Sequence, residues 1–371
     1  MRIAFDARMI THPGIGRYTR NILSAMIHGI SGLDITLYGN PSELTSFDRC
    51  NICEYLKPIY GIGEFFRDPF GKDEYDLVHI PHFNAPFGIG LHSVVTIHDL
   101  IYTKFKESAP FHKRAAANFA IRNAAKKACR VIAVSENTKQ DLIRDFGILE
   151  EKIGVVHEAA DPIFKKIDDV IKKEEVRKKY NLPDDFILFV GSLKKHKNLE
   201  RLIDAYIDLK ANGIMHSLVV VGKFNPRESD ILNKILKSDA IYLKEVPEED
   251  LVVLYNLACL FVLPSIYEGF GLPVLEAMIC GVPVACSNIA SLPEVVGDAA
   301  KRFDPYDVES IAFAINELLT IETLRNELIE KGLDRAAKFS WAKAAQQTYE
   351  VYEKVVGALP AGRQGPSGRE I

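Results

Sequence analysis

Short apolar runs alternate with longer amphipathic stretches along most of the chain. In the first half the apolar runs cover residues 3–7, 35–38, 77–80, 94–97, 131–134 and 155–157. They are too short for helices and rich in β-branched residues, so they predict buried strands. Helical patterns lie between them, notably over residues 17–28, 111–128 and 138–146. Strands that alternate with helices predict a mainly parallel sheet covered on both faces.

A second alternating series follows a polar, charged stretch at residues 161–185, which shows no strand pattern and is predicted to be the linker. The predicted strands cover residues 186–190, 217–222, 241–246, 260–263 and 283–286, and the predicted helices 199–210, 228–237, 248–258 and 272–280. The sequence thus predicts an α/β protein of two doubly wound, Rossmann-like domains facing a central cleft. In such sheets, ligands bind outside the carboxyl ends of the strands.

Only helical patterns remain after Asp304, over residues 308–320, 324–338 and 341–356. We predict an N-terminal domain at 1–165, a C-terminal domain at 166–340 and a last helix at 341–357. Trp341, at the start of that helix, is predicted to have a packing role. The glycine- and proline-rich tail 358–371 is predicted to be disordered.

Composition narrows the class of protein. A chain of 371 residues with 47% hydrophobic and 26% charged residues has the make-up of an ordinary two-domain globular protein. The net charge of −4 gives no reason to expect nucleic-acid binding. No apolar run approaches the roughly 20 residues that span a bilayer, and Asp6 interrupts the place where a signal peptide needs its apolar core. A cytoplasmic location is therefore expected.

The six cysteines lie mostly inside apolar runs, which predicts reduced core thiols. Cys50 and Cys53 have the spacing of a redox motif, but no strand-to-helix context surrounds them. The sequence therefore argues against a redox or metal-binding role for this pair.

The strongest chemical signal lies between residues 265 and 284. A predicted strand ends there in a turn with Glu268 and Gly271, and a predicted helix follows with Pro273 in its first turn and Glu276 further along. Free backbone N–H groups at a helix start attract an anion. Carboxylates on each side of that anion bind hydroxyl groups, so the segment predicts a nucleotide-sugar site.

Three further strand-end features are candidates for the same site. Lys194, Lys195 and Lys197 follow the predicted strand 186–190, although such lysines often form only a solvated turn. The glycine pair in Pro13-Gly-Ile-Gly16 allows close approach of a phosphate or sugar, or makes an ordinary tight turn. His98 ends a strand and is expected to point into the cleft, but a histidine there is often only structural.

Four segments occur together in the order found in one enzyme family. They are Pro13-Gly-Ile-Gly-Arg-Tyr18, Val95-Thr-Ile-His-Asp-Leu100, Val190-Gly-Ser-Leu-Lys-Lys-His-Lys-Asn198 and Glu268 through Glu276. Over about residues 1–357 the chain resembles the retaining glycosyltransferases of family 4, which have the GT-B fold. Within that family it most resembles the mannosyltransferases of polysaccharide or lipid-linked glycan assembly.

The resemblance implies transfer of a hexose, with mannose favoured, from a nucleotide-diphosphate sugar to a glycan or lipid-linked acceptor. It implies retention of anomeric configuration and no bound metal or other cofactor. It also implies that domain 1–165 binds the acceptor, that domain 166–340 binds the nucleotide-sugar, and that the last helix, 341–357, crosses back and packs on the N-terminal domain. His98 and Glu268 become the predicted catalytic residues, beside the donor sugar, and Glu276 contacts the ribose hydroxyls. The other predicted donor contacts are Gly16, Ser192, Lys197, Val246, Phe270, Gly271 and Leu272. On the acceptor side, Arg17 is a candidate or a surface residue, and Asp99 orients the acceptor or caps the next turn.

The chain departs from many relatives at the phosphate side of the site. They carry arginine where this chain has Ser192, or just before the lysine, where it has His196. One expected cation is therefore missing, and His196 and Lys195 are the candidates to replace it. A histidine in that place is expected to make donor binding sensitive to pH.

Other functions remain open at the level of sequence. Two carboxylates in a cleft also suit a glycosidase, but the resemblance assigns Glu276 to ribose. A nucleotide-sugar 2-epimerase or a phosphorylase has a similar architecture, and the changes at Ser192 and His196 leave room for a non-catalytic nucleotide-sugar-binding protein.

The segment 111–130 contains no acidic residue. A basic amphipathic helix of this kind docks on anionic lipid headgroups at the inner face of the membrane. The alternative is a solvated helix whose alanine and phenylalanine positions pack inward.

Overall fold

The computed structural model describes residues 1–59, 69–71, 74–90, 92–224 and 229–357. Contacts divide the chain into two compact units. The N-terminal unit contains Met1–Thr103, Ala109–Glu158 and the chain from Ser340 onward. The C-terminal unit contains Lys104–Ser108 and Ala159–Phe339. The tail 358–371, predicted to be disordered, lies outside the described residues.

The N-terminal unit is built on a parallel sheet of seven strands in the order β3-β2-β1-β4-β5-β6-β7. The strands are β1 (Arg2–Asp6), β2 (Asp34–Gly39), β3 (Asn51–Glu54), β4 (Leu77–Ile80), β5 (Ser93–Ile97), β6 (Arg130–Ala133) and β7 (Ile153–Val155). The helices are α1 (Ile15–Gly29), α2 (Ile101–Lys104), α3 (Phe111–Lys127), α4 (Glu136–Phe146) and, at the end of the chain, α13 (Trp341–Gly357). β5 is buried along its whole length, as a central parallel strand must be.

The C-terminal unit has a parallel sheet of six strands in the order β10-β9-β8-β11-β12-β13. The strands are β8 (Phe186–Val190), β9 (Ser217–Val221), β10 (Ile241–Leu243), β11 (Leu260–Leu263), β12 (Val284–Ser287) and β13 (Lys301–Phe303). The helices are α5 (Val170–Lys179), α6 (Leu199–Ala211), α7 (Ser229–Lys237), α8 (Glu248–Leu257), α9 (Leu272–Ile279), α10 (Leu292–Val296), α11 (Val308–Thr320) and α12 (Glu322–Ala336). The predicted α/β class with two doubly wound parallel sheets is confirmed.

The prediction of a linker at 161–185 is wrong. Helix α5 lies inside it, and Lys179 and Tyr180 both contact the carboxylate of Asp250, at 2.6 and 2.7 Å. The stretch looked like a linker because α5 buries only Val176 and most of its other residues are charged. The edge strands β3 and β13 were also missed, since their residues are mostly exposed or half-buried and lack an apolar run.

Helix α13 is held in the N-terminal unit by buried aromatic residues. Trp341 is 7% exposed and meets the ring of Tyr18 edge-on, with 5.9 Å between centroids. The hydroxyl of Tyr352 lies 2.5 Å from Nδ1 of His79, and Thr96 Oγ1 lies 2.8 Å from Nε2 of that ring. Burial lowers the pKa of His79 to about 3, so this imidazole is neutral. Because Trp341 is buried against Tyr18, it packs in the core of this unit, and Tyr352 of the same helix packs there too.

The described residues contain no helix long and apolar enough to cross a membrane.

Two strand ends of the C-terminal sheet pack closely enough to require glycine. A Cβ atom on Gly222 would lie 1.8 Å from the carbonyl oxygen of Gly191. We expect Gly222→Ala to lower the free energy of unfolding by about 3 kcal/mol, because backbone rather than a flexible side chain must move. Urea unfolding measures this. Gly29→Ala is the matched control, since nothing lies within 4 Å of its added Cβ, and equal stability of the two variants would contradict the prediction.

Candidate active site

The strand order of the C-terminal sheet predicts a ligand site at the carboxyl ends of its two central strands. The order reverses between β8 and β11, which are hydrogen-bonded neighbours. Doubly wound sheets bind ligands outside the carboxyl ends of the strands at such a reversal. The segment after β8 carries Ser192 and Lys197, and the segment after β11 carries Glu268. The topology thus brings these predicted donor contacts to one edge.

Lys197 and Glu268 form a direct ion pair there. Nζ of Lys197 lies 2.6 Å from Oε1 of Glu268, and the hydroxyl of Ser265 donates to the same oxygen at 2.6 Å. The lysine and glutamate side chains are 14% and 12% exposed. A carboxylate that is mostly removed from water is therefore satisfied by a cation and a hydroxyl.

Glu268 is ionised at neutral pH. Burial by itself would raise its pKa, but the charge and hydrogen bond of Lys197 and the hydrogen bond of Ser265 outweigh burial, so the pKa is lowered. An ionised carboxylate accepts hydrogen bonds from sugar hydroxyls but donates no proton. This favours a hydroxyl-binding role for Glu268 over that of the acid in a glycosidase pair.

Asn198 fixes the lysine turn against the neighbouring segment. It follows the 3₁₀ turn Lys195–Lys197 with a φ of 57°, and its Nδ2 donates to the carbonyls of Pro264 and Pro305 at 3.0 and 2.7 Å. Sequence reasoning missed this residue. The sequence did hold one signal for it: asparagine adopts the left-handed backbone region more readily than most residues, and this asparagine stands directly before a helix.

Side-chain hydrogen bonds from Ser291 hold the glycine turn before α9 in place. Gly271 has a φ of +111°, which L side chains rarely adopt. The hydroxyl of Ser291 lies 3.0 and 2.8 Å from the carbonyl oxygens of Glu268 and Phe270. Phe270 is 3% exposed and its ring meets that of Phe339 edge-on, so the ring packs in the interior of this unit.

Glu276 lies within α9 and is only 2% exposed. Its Oε2 accepts a hydrogen bond of 2.9 Å from the hydroxyl of Tyr255, a fully buried residue of α8 that sequence reasoning missed. The carboxylate is thus held in one orientation by a buried partner. Its contact with ribose stays a prediction.

His196 does not replace the missing cation. It is 9% exposed, and its ring meets Phe105 edge-on at 6.1 Å. Burial, with the positive charge of Lys197 nearby, lowers its pKa to about 4. The ring is therefore neutral at physiological pH, which argues against His196 as the second cation, and the pH sensitivity of donor binding through His196 stays a prediction. Lys195, which is exposed, is the remaining candidate.

The other predicted donor contacts of this unit also follow strand ends. Ser192 is half-buried after β8, Val246 is half-buried between β10 and α8, and Leu272 is half-buried at the start of α9. These positions lie on the carboxyl side of the sheet. Their donor contacts remain predictions.

In the N-terminal unit, His98 follows β5 and uses both ring nitrogens. Nδ1 lies 2.9 Å from Oε1 of Glu158, and Nε2 lies 2.8 Å from the carbonyl oxygen of Pro81. Because both partners are acceptors, both nitrogens must carry hydrogen. Burial opposes this charge, but Glu158 outweighs it and the pKa of His98 is raised. His98 is thus a cation without a free lone pair, which argues against general-base chemistry at this residue.

Sequence reasoning missed two groups at the carboxyl edge of this sheet. Glu158, three residues after β7, was one of them. The other is Asp6, fully buried at the end of β1, with Arg8 at 2.6 Å and His82 at 3.6 Å. Burial alone would raise the pKa of Asp6, but the hydrogen bonds and charge of Arg8, with His82 nearby, hold that pKa well below the ordinary range. The strand-end rule that selected His98 would have found both.

Two of the remaining N-terminal candidates, Asp99 and Gly16, have local structural roles. Asp99 accepts a hydrogen bond of 3.0 Å from the backbone of Ile101, so the turn-capping alternative describes what it does here. A Cβ atom on Gly16 would lie 2.3 Å from the carbonyl oxygen of Ile10, so packing alone requires glycine there. Arg17 is half-buried in the first turn of α1. The ligand contacts predicted for these residues stay predictions.

The His98–Glu158 pair predicts a pH-dependent stability. A raised histidine pKa contributes stability that is complete below the unfolded pKa of 6.5 and is lost as pH rises through the folded pKa. We expect Glu158→Gln to destabilise the protein by about 1–2 kcal/mol near pH 6, through loss of a charge-assisted hydrogen bond, and by less at pH 9. Thermal melts of both proteins across pH test this. A difference that does not change with pH would contradict it.

Comparison with known proteins identifies the class to which this fold and site belong. The family described as Glycosyltransferase Family 4 matches residues 14–163, and that described as Glycosyl transferases group 1 matches residues 170–335. The chain is therefore a glycosyltransferase of the GT-B fold. Among solved structures, the chain is similar to the Anabaena protein HepE, which was solved in complex with UDP and glucose. The two superpose with a TM-score of 0.75 at 19% sequence identity, over 95% of this chain and 100% of the HepE chain.

The O-antigen chain mannosyltransferase B of Escherichia coli is 30% identical over 95% of this chain and 100% of its own length. The chain belongs to family 4 of the glycosyltransferases. The serotype-specific mannosyltransferase WbdA of Escherichia coli is 33% identical over 77% of this chain, which spans 36% of that larger protein.

Proposed function

We propose that the protein transfers mannose from a nucleoside-diphosphate mannose to a glycan acceptor, with retention of configuration and without a metal ion. The observation that carries this is the Lys197–Glu268–Ser265 cluster beside the glycine turn at Gly271, at the strand-order reversal. It offers an ionised carboxylate for sugar hydroxyls and a cation for phosphate. The mannosyltransferase names of the sequence relatives support mannose as the sugar.

The charges of this cluster suit the bond that breaks. When the bond from the anomeric carbon to the phosphate oxygen breaks, its electron pair stays with that oxygen. Lys197 and the N–H groups at the start of α9 stabilise this negative charge. The acceptor oxygen forms the new bond on the same face of the sugar, and its proton passes to the departing phosphate oxygen. Glu268 holds the donor sugar and forms no covalent bond.

A thermal-shift panel of nucleoside diphosphates and their sugars tests donor binding. A ligand that binds only the folded state raises the melting temperature according to its concentration over its Kd. We expect one nucleoside-diphosphate mannose to give the largest shift, unchanged by EDTA. A panel without any shift contradicts the proposal, and a shift abolished by EDTA contradicts its metal-independent part. Binding without transfer to any mannose-containing glycan would favour a non-catalytic nucleotide-sugar-binding protein.

We propose further that α3 contacts anionic lipid at the inner face of the membrane, in keeping with a lipid-linked acceptor. Phe111 and Phe119 are 81% and 61% exposed, so the phenylalanines do not pack inward as the alternative requires. Exposed cations lie on the same helix, at Lys113, Arg122, Lys126 and Lys127. Flotation of the protein with anionic vesicles at low salt tests this, and failure to float overturns it. A Phe111→Ser/Phe119→Ser variant should float less.

A further inference from the structure

A group of metal-binding side chains lies on the C-terminal unit, away from the donor-site residues. Asp185, His216 and Cys259 offer one carboxylate oxygen, one imidazole nitrogen and one thiol sulfur, all within 4.8 Å of one another. It is the one such group that the described part of the chain contains. Asp185 is exposed, and the other two residues are half-buried.

The fold explains why these residues meet. Each stands directly before a strand, and the three strands β9, β8 and β11 are neighbours in the sheet. The backbone N–H of Cys259 donates to the carbonyl of Phe186 at 2.9 Å, and that of Ser217 donates to the carbonyl of Asp185 at 3.1 Å. The ladder therefore fixes the three Cα positions at the amino edge, whereas Lys197 and Glu268 follow the carboxyl ends.

The ligand set is that of zinc. Sulfur, imidazole nitrogen and carboxylate oxygen are the zinc ligands of proteins, and one exposed side leaves a fourth position for water. The Sγ of Cys259 lies 3.5 Å from Oδ1 of Asp185. Two such ligands on one tetrahedral zinc ion stand about 3.6 Å apart. This pair therefore has nearly the required separation, and the imidazole nitrogen lies within 4.8 Å of both.

The imidazole of His216 has a ring nitrogen that no other described group uses. Nδ1 of His216 is buried and has no hydrogen-bond partner among the described residues. A buried imidazole nitrogen without a hydrogen-bond partner is in a position to bind a metal ion.

We infer that Asp185, His216 and Cys259 bind a zinc ion, which links the amino ends of three neighbouring strands. On binding, the thiol of Cys259 loses its proton to solvent and its sulfur forms the bond to the metal, without oxidation or reduction. The site stabilises the C-terminal unit and takes no part in sugar transfer, because its residues precede the strands that the donor-binding residues follow.

Cobalt(II) reports on the thiolate bond directly. We expect the full-length protein, freed of metal by chelator, to bind one equivalent of cobalt and to show a thiolate-to-cobalt charge-transfer absorption in the near ultraviolet. Cys259→Ser should abolish this band, and His216→Gln should weaken zinc binding more than about tenfold. Zinc should also raise the melting temperature of the wild type and not that of Cys259→Ser.

Cys129→Ser is the matched control, since Cys129 also stands directly before a strand, β6, in the other unit. This variant should keep both the cobalt band and the zinc shift. If Cys259→Ser does not fold, His216→Gln and Asp185→Asn carry the test through the zinc titration. Absence of the band in the wild type, or a band and a shift unchanged in the variants, would overturn the site. Neither result depends on donor binding.

Discussion

Replacing Lys197 with methionine is expected to lower kcat/KM for the donor by about 10²- to 10³-fold, the usual cost of removing one group that stabilises a developing anion. Methionine keeps most of the length and the apolar stem of lysine, so the loss is one of charge. The same change leaves the carboxylate of Glu268 buried without its cation. We therefore also expect a lower melting temperature, since breaking one partner of a buried pair is destabilising.

A second substitution separates these two effects. In Lys197→Met/Glu268→Gln the buried charge is gone, so the melting temperature should recover while transfer stays lost. Lys210→Met, at the end of α6, is the matched lysine control and should change neither property. Recovery of activity in the double variant would mean that Lys197 acts only by stabilising the fold around Glu268. Transfer rates and thermal melts of the three variants decide between these outcomes.

Glu276→Gln is expected to lower kcat/KM for the donor by about 10- to 100-fold, chiefly through KM. A hydrogen bond to a charged group contributes about 1.5–3 kcal/mol, and glutamine keeps the shape but not the charge that would hold the ribose hydroxyls. Initial rates over a range of donor concentrations measure this effect.

Tyr255→Phe is the control for Glu276, because it removes only the hydroxyl that bonds to this carboxylate. It should cost about 1.5–3 kcal/mol of stability, the usual contribution of a hydrogen bond to a charged group, and change KM for the donor much less than Glu276→Gln does. If both variants lower activity and stability alike, Glu276 serves the core of the unit rather than the ribose.

The strands were predictable where burial on both faces leaves an apolar run, as in β5 and β8, and the order of the elements then gave the fold. Charged or exposed elements such as α5 and β3 carry no such run, so the linker prediction failed. Lys197 and Glu268 could be expected at one edge from their strand-end positions. Their ion pair, and the burial that makes His196 neutral, depend on packing between segments about 70 residues apart, which no local pattern contains.

Transfer of labelled mannose from its nucleoside diphosphate to a mannose-containing glycan, by the purified protein in the presence of EDTA, tests the proposed function most directly. We expect transfer by the wild type, with the anomeric configuration of the donor kept in the product, and a loss of at least about 10²-fold in Lys197→Met. Inversion of configuration, a requirement for divalent metal, or full activity in Lys197→Met would contradict it.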